Sequence, residues 1–172
     1  MEIPDRVEPL RSLLAFQGHN MMEIPEHLFV KLKHLCILNL SGTVIQYLPN
    51  FIGDLARLRY LDLSNTPIVE LPDTFSNLQY LQTLNLSGFF EFTKLPNDFS
   101  RVRSLRHFHV ESQRCIMPEE IGTLTDLQTL WEFRIHDKDS EGVLRSIIEL
   151  RTLSELRYLA IEGLDECRAE QR

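Results

Sequence analysis

A coil of stacked α/β repeats is the architecture this sequence predicts, and three observations predict it. Leu35, Leu58 and Leu81 each open the frame L-x-x-L-x-L-S, at a constant interval of 58 − 35 = 81 − 58 = 23 residues. Within each frame apolar and polar residues alternate, which is the period of a strand packed on one face and wet on the other. Each frame is followed by L-P-x-x-[IF]-x-x-L or a close variant (LPNFIGDL, LPDTFSNL, LPNDFSRV). There Pro sets φ for a turn or a first helical residue, and the later apolar residues take helical spacing. A unit this short cannot bury its apolar face alone and must stack on its neighbours.

The interval falls within the leucine-rich-repeat period of about 20–29 residues. The predicted fold is therefore a right-handed leucine-rich-repeat solenoid: a parallel concave sheet of about five to six strands, with short helices or turns on the convex side. In LRYLDLSNTPIVELP, Leu61, Leu63, Ile68 and Leu71 are expected inside the coil, while Tyr60, Asp62 and Ser64 alternate with them. Stacked strands lie about 4.8 Å apart, so Asp62 becomes neighbour to Asn39 and Asn85. Asn39, Ser41, Asp62, Ser64, Asn85 and Ser87 then form a small polar display on the concave face.

Taken in order, residues 1–172 read as one domain. Residues 1–34 hold a degenerate first repeat, PLRSLLAFQG, with Leu10 and Leu13 in frame and Phe16 packed. Residues 35–126 hold the regular repeats. The third is longer by one residue, since Leu95 lies 14 after Leu81 where Leu71 lies 13 after Leu58; Phe89, Phe90 and Phe92 crowd that loop, and Phe92 is expected in the core. The fourth opens at Leu105 and replaces leucines by Phe108, Val110 and Met117. Residues 127–172 form an irregular repeat. Val143, Ile147 and Leu150 are helically spaced after a cap at Asp139 or Ser140, predicting a longer convex helix, and Leu156, Leu159 and Ile161 begin a last strand. Leu10, Leu13 and Phe16 at one end, with Leu159 and Ile161 at the other, leave apolar ends and predict self-association.

Composition narrows the function classes. The 172 residues carry a formal charge of −7, which argues against a dedicated nucleic-acid or anionic-membrane partner. No run is long and apolar enough for a membrane span, and MEIPDRVEPLRS lacks a signal-peptide core, so a cytoplasmic location is expected. Cys36, Cys115 and Cys167 are few and widely spaced, suggesting neither a disulfide framework nor a zinc site. Asn39-Leu40-Ser41 and Asn85-Leu86-Ser87 match the glycosylation pattern, but the repeat itself demands those letters. There is no P-loop, no H-E-x-x-H, no G-x-S-x-G and no Gly-rich dinucleotide turn, so neither an enzyme nor a cofactor is expected.

The candidate functional residues fall late in the chain. His107, His109 and Glu111 alternate on one strand, an arrangement that can offer metal ligands, although no fourth ligand is evident and Cys115 takes a core position. Read without a metal they form a varied concave patch, beside which Trp131 should lie. Trp131 either contacts a partner or packs under the irregular segment that follows. Arg101, Arg103, Arg106 and Arg114 make a local basic cluster that is either simply solvated, or docks an acidic partner or a nucleotide-binding domain. The partner-binding candidates are thus His107, His109, Glu111 and Trp131, with Asp62 and Asn85 next to them.

The phrases LRYLDLSNTPIVELPDTFSNLQYLQTLNLSG, MPEEIGTLTDLQTL and ELRYLAIEGL, with an irregular insertion and helix after LQTL, cover nearly the whole chain. Together they resemble the repeat domain of plant intracellular nucleotide-binding leucine-rich-repeat immune receptors of the coiled-coil class. The resemblance implies a module that recognises a pathogen effector or host protein, or holds the receptor's own nucleotide-binding domain inactive. The chain begins inside the repeats, so a piece of a longer protein or a truncated product is expected. The alternative class is an intracellular repeat scaffold that tethers a phosphatase or GTPase; a metal-site enzyme is the third.

Overall fold

The computed structural model of the chain describes residues 10–15, 24–25, 29, 31–88, 92, 94–111, 120–134 and 147–162, with the backbone alone at 132–134 and 162. Among these residues seven strands form one sheet in chain order: β1 (Ser12–Leu14), β2 (Ile37–Asn39), β3 (Tyr60–Asp62), β4 (Thr83–Leu86), β5 (His107–Val110), β6 (Thr129–Arg134) and β7 (Tyr158–Glu162). Every neighbouring pair is parallel. The sheet exceeds the expected five to six strands because the degenerate first segment also pairs, Leu13 opposite Leu38. Phe16, Phe89, Phe90, Met117, Asp139, Ser140 and Val143 lie outside the described residues.

The frame leucines do what their alternation demands. Leu35, Leu58, Leu81, Leu105 and Leu127 are fully buried, as are Leu61, Leu84, Phe108 and Leu130, each three residues after a frame leucine. Phe92 is also fully buried. Between strands, 3₁₀ turns occupy Asn50–Asp54, Asp73–Asn77, Phe99–Arg101 and Ile121–Thr123, and each sends one apolar side chain (Ile52, Phe75, Phe99, Ile121) into the coil. Phe75 stacks on Phe99 at 6.1 Å between ring centroids, and Phe99 tilts onto Phe108 at 5.2 Å. This aromatic run links the convex turns to the sheet. Gly53 is required by the close approach of consecutive turns, since a Cβ there would strike the backbone carbonyl of Thr74.

Two details depart from the simple repeat. In β6 the register slips between Leu130 and Phe133, so that Phe133 rather than Glu132 stands opposite Ile161. A β-bulge of one residue thereby keeps an apolar residue in the third frame position after the sequence has placed a carboxylate there. The described part of the expected long helix is the turn 147–150, where Leu150 packs on the core but Ile147 is exposed. Helical spacing alone therefore misplaces Ile147, because the turn meets the core through Leu150. Among the described residues no helix is long and apolar enough to cross a membrane.

Candidate partner-binding face

Parallel register turns the wet positions of the strands into two ladders. One runs Ser12, Ile37, Tyr60, Thr83, His107, Thr129, Tyr158; the other runs Leu14, Asn39, Asp62, Asn85, His109, Trp131. Side chains on a ladder are about 4.8 Å from the next, so neighbours touch and act as a unit.

The middle of the second ladder is occupied by its own backbone. Asn39 Oδ1 accepts hydrogen bonds from the Ser41 amide (2.9 Å) and hydroxyl (2.7 Å), and Asn85 Oδ1 does the same for Ser87 (3.1 and 2.7 Å). Asp62 Oδ1 accepts from the Ser64 amide at 2.9 Å, while Oδ2 accepts from the Tyr60 hydroxyl at 3.1 Å. These are Asx turns, by which a short polar side chain satisfies the chain as it leaves the strand. The expected polar display is accordingly weaker than its letters suggest: Asp62 is only 7% exposed and Ser64 is buried too. The residue after each serine then takes positive φ, at Gly42, Asn65 and Gly88, which glycine and asparagine tolerate.

At the late end the side chains change character. His109 stacks on Trp131, 6.4 Å between ring centroids and 15° between planes, and Trp131 remains 48% exposed. His107 Nδ1 lies 3.1 Å from Thr129 Oγ1, and Tyr158 at the end of that ladder is 66% exposed. Burial and the neighbouring His107 hold the His109 imidazole below its ordinary pKa of 6.5, against a smaller opposing pull from Asp62. His109 is therefore neutral near pH 7. Burial, and then the charge and hydrogen bond of Asp62, push the Tyr60 phenol above its ordinary value.

The six sequence candidates thus separate into groups. His109 and Trp131 are in ring contact and His107 adjoins them on β5. Glu111 turns away from the histidines, its Oε2 accepting a hydrogen bond from the Gly88 amide at 3.1 Å. Asp62 and Asn85 sit on the same ladder as His109 but are engaged by Tyr60, Ser64 and Ser87. Among the described residues no group of three His, Cys, Asp or Glu is placed to hold a metal ion, and Arg114 and Cys115 lie outside them. Sequence reasoning missed Leu14, Ile37, Tyr60 and Tyr158, apolar or aromatic side chains on the same two ladders. The signal was present, since Ile37, Tyr60 and Tyr158 each hold the second position after a frame leucine, where a side chain faces outward.

Comparison with known proteins bears on the fold. Residues 9–171 match the family model described as a leucine-rich repeat region. No curated protein sequence matches. Similar solved structures include a leucine-rich-repeat protein of Leptospira interrogans (24% identity, TM-score 0.68), covering 81% of this chain and 34% of that one. The functional domain of InlJ from Listeria monocytogenes is similar at 16% identity and TM-score 0.67, covering 90% and 30%. The Arabidopsis receptor kinase HAESA, solved in complex with the peptide hormone IDA and the co-receptor SERK1, is similar at 19% identity and TM-score 0.63, covering 81% and 23%. This chain spans about a third of the Leptospira protein's length. With the repeat frame, the seven parallel strands and a family match over almost every residue, the chain belongs to the leucine-rich-repeat family.

Proposed function

We propose that this chain is the recognition or autoinhibitory repeat module of a plant intracellular immune receptor, and that it works by holding a protein against the late concave ladders. The observation that carries the reading is the His109–Trp131 stack, two rings in contact with the larger one half exposed. A tryptophan fixed by a neighbour loses little further entropy on binding, and aromatic residues of this kind dominate interface energetics. The polar middle of the sheet has its hydrogen bonds satisfied internally, so it offers a partner less. The plant-receptor assignment rests on the sequence phrases quoted above, and HAESA, a plant protein of similar fold, was solved holding a peptide and a co-receptor. A pathogen effector, a host protein and the receptor's own nucleotide-binding domain are the partner classes this reading implies.

Two measurements test it. Coding sequence upstream of Met1 is expected to run into a nucleotide-binding module; its replacement by an unrelated signalling domain would favour the scaffold alternative. Against a verified partner, Trp131→Ala or His109→Ala should weaken binding by about 2 kcal/mol, as at other interface hot spots, with the fold intact. Loss confined to Asn39 and Asp62 variants would move the surface to the early strands and overturn the assignment.

A further inference from the structure

The residues that stand just before each strand form a third ladder, which the two concave ladders do not include. Backbone hydrogen bonds of 2.7–2.9 Å fix its order: Cys36 N to Arg11 O, Arg59 N to Cys36 O, Gln82 N to Arg59 O, Arg106 N to Gln82 O, Gln128 N to Arg106 O and Arg157 N to Gln128 O. Arginine therefore stands on every second rung (Arg11, Arg59, Arg106, Arg157), separated by Cys36, Gln82 and Gln128. All four arginines are exposed, and among the described residues none has a salt-bridge partner.

The surroundings reinforce this row over most of its length. The segments 32–37, 55–60, 78–83 and 102–107, which carry the middle rungs, contain no acidic residue and add Lys33, Arg57 and Arg103, all exposed. This happens in a chain with 25 acidic against 18 basic residues. In the sequence carboxylates stand only beside the outer rungs, Glu8 before Arg11, Asp126 before Gln128 and Glu155 before Arg157. A positive edge on an otherwise negative molecule selects partners by charge, since it attracts an anionic segment while the remaining surface repels one.

We propose that this edge docks an acidic polypeptide segment lying extended across the strands, with carboxylates at about every third residue. Alternate rungs are about 9.6 Å apart at ~4.8 Å per strand, and an extended chain advances ~3.3 Å per residue, so three residues span one arginine-to-arginine step. Arginine offers a planar fork that takes a carboxylate through two hydrogen bonds. One exposed pair contributes little, so the affinity depends on several engaging together and falls with salt.

The test uses the full chain and a labelled synthetic peptide with glutamate at every third residue, beside an isomer of the same composition whose glutamates are contiguous. Fluorescence anisotropy at low ionic strength is expected to show tighter binding of the spaced peptide, lost on raising salt to ~150 mM. Reversing Arg106 alone to Glu should weaken it severalfold, and reversing Arg59 with it by about tenfold or more, whereas Arg151→Glu on the convex side, with the same charge change as Arg106→Glu, should have much less effect. Trp131→Ala should leave it unchanged, so this proposal and the reading of the concave face fail separately. Thermal melts check that each variant is folded. Equal binding of the two isomers, equal loss in the Arg151 variant, or tighter binding of a single-stranded oligonucleotide than of the spaced peptide would each overturn the proposal.

Discussion

At the scale of single residues, one repeat position can do opposite things depending on whether its side chain faces the coil or its own backbone. Leu61 and Leu84 are fully buried between stacked turns, and truncation to Ala should cost about 2–5 kcal/mol in a denaturant melt. Asn39→Ala and Asn85→Ala remove hydrogen bonds to the following serine and should cost about 1 kcal/mol; losses equal to the leucine variants would reverse the assigned strand faces. Gly88→Ala is a different case, because the residue has φ +74° and its new Cβ would strike the Asn65 side chain. It should lose about 1–2 kcal/mol or more, although the same site looks like an ordinary loop glycine in the sequence. His109 gives a pH signature. Its folded pKa lies below the unfolded value of 6.5, so its neutral form contributes stability above that pH, lost as pH falls through the folded value. Proton NMR should place its titration below 6.5, His107→Ala should raise it, and Asp62→Asn should lower it further; a midpoint above 6.5 in the native chain would contradict the packing described. The histidines were visible in the sequence as alternating outward residues, and so was the pairing of His107 with His109, but how far His109 is buried depends on stacked strands such as the one carrying Trp131, which no local pattern reports.

At the scale of elements, the strand frame and the Pro-led turns were legible because each recurs with the same letters, and repetition separates a structural demand from chance. What was not legible is where the repeat bends its own rule. LQTLWEF places Glu132 in the third frame position, and only the register of β6 against β7 reveals that one extra residue brings Phe133 there instead. Deleting Glu132 restores the spacing L-x-x-L-x-F, like the Leu105, Phe108, Val110 pattern of β5. That deletion should cost less than ~1 kcal/mol, whereas deleting Asn85 from β4 shifts every later residue of the strand to the wrong face and should cost several times more. Comparable losses would mean that the bulge is needed for something other than register. The aromatic run through Phe75, Phe99 and Phe108 was equally hidden, since its members come from two turns and a strand; only stacking of the coil brings them together.

For the whole molecule, a solenoid has no closed core, and each turn is protected only by the next. Leu130 and Leu84 are fully buried because β7 and β5 respectively continue the stack beside their strands. Leu159 holds the same frame position in β7, yet it is 41% exposed, and among the described residues no strand pairs with the far side of β7. At the other end Leu10 and Leu13 are partly buried and Leu14 is exposed. An uncovered strand edge with an apolar residue behind it is a template for another strand, so the isolated chain should self-associate as its concentration rises. Light scattering coupled to gel filtration should show mass increasing with concentration, and Leu159→Arg should hold the chain monomeric at the same concentrations, because a charge at that site resists burial by a second copy. The substitution should change the melting temperature little, since the side chain is already substantially exposed. A native chain that stays monomeric at high concentration would show that β7 is effectively capped, whereas association unaffected by Leu159→Arg would place the contact at another surface, with the Leu14 and Ile37 end of the sheet the next to alter.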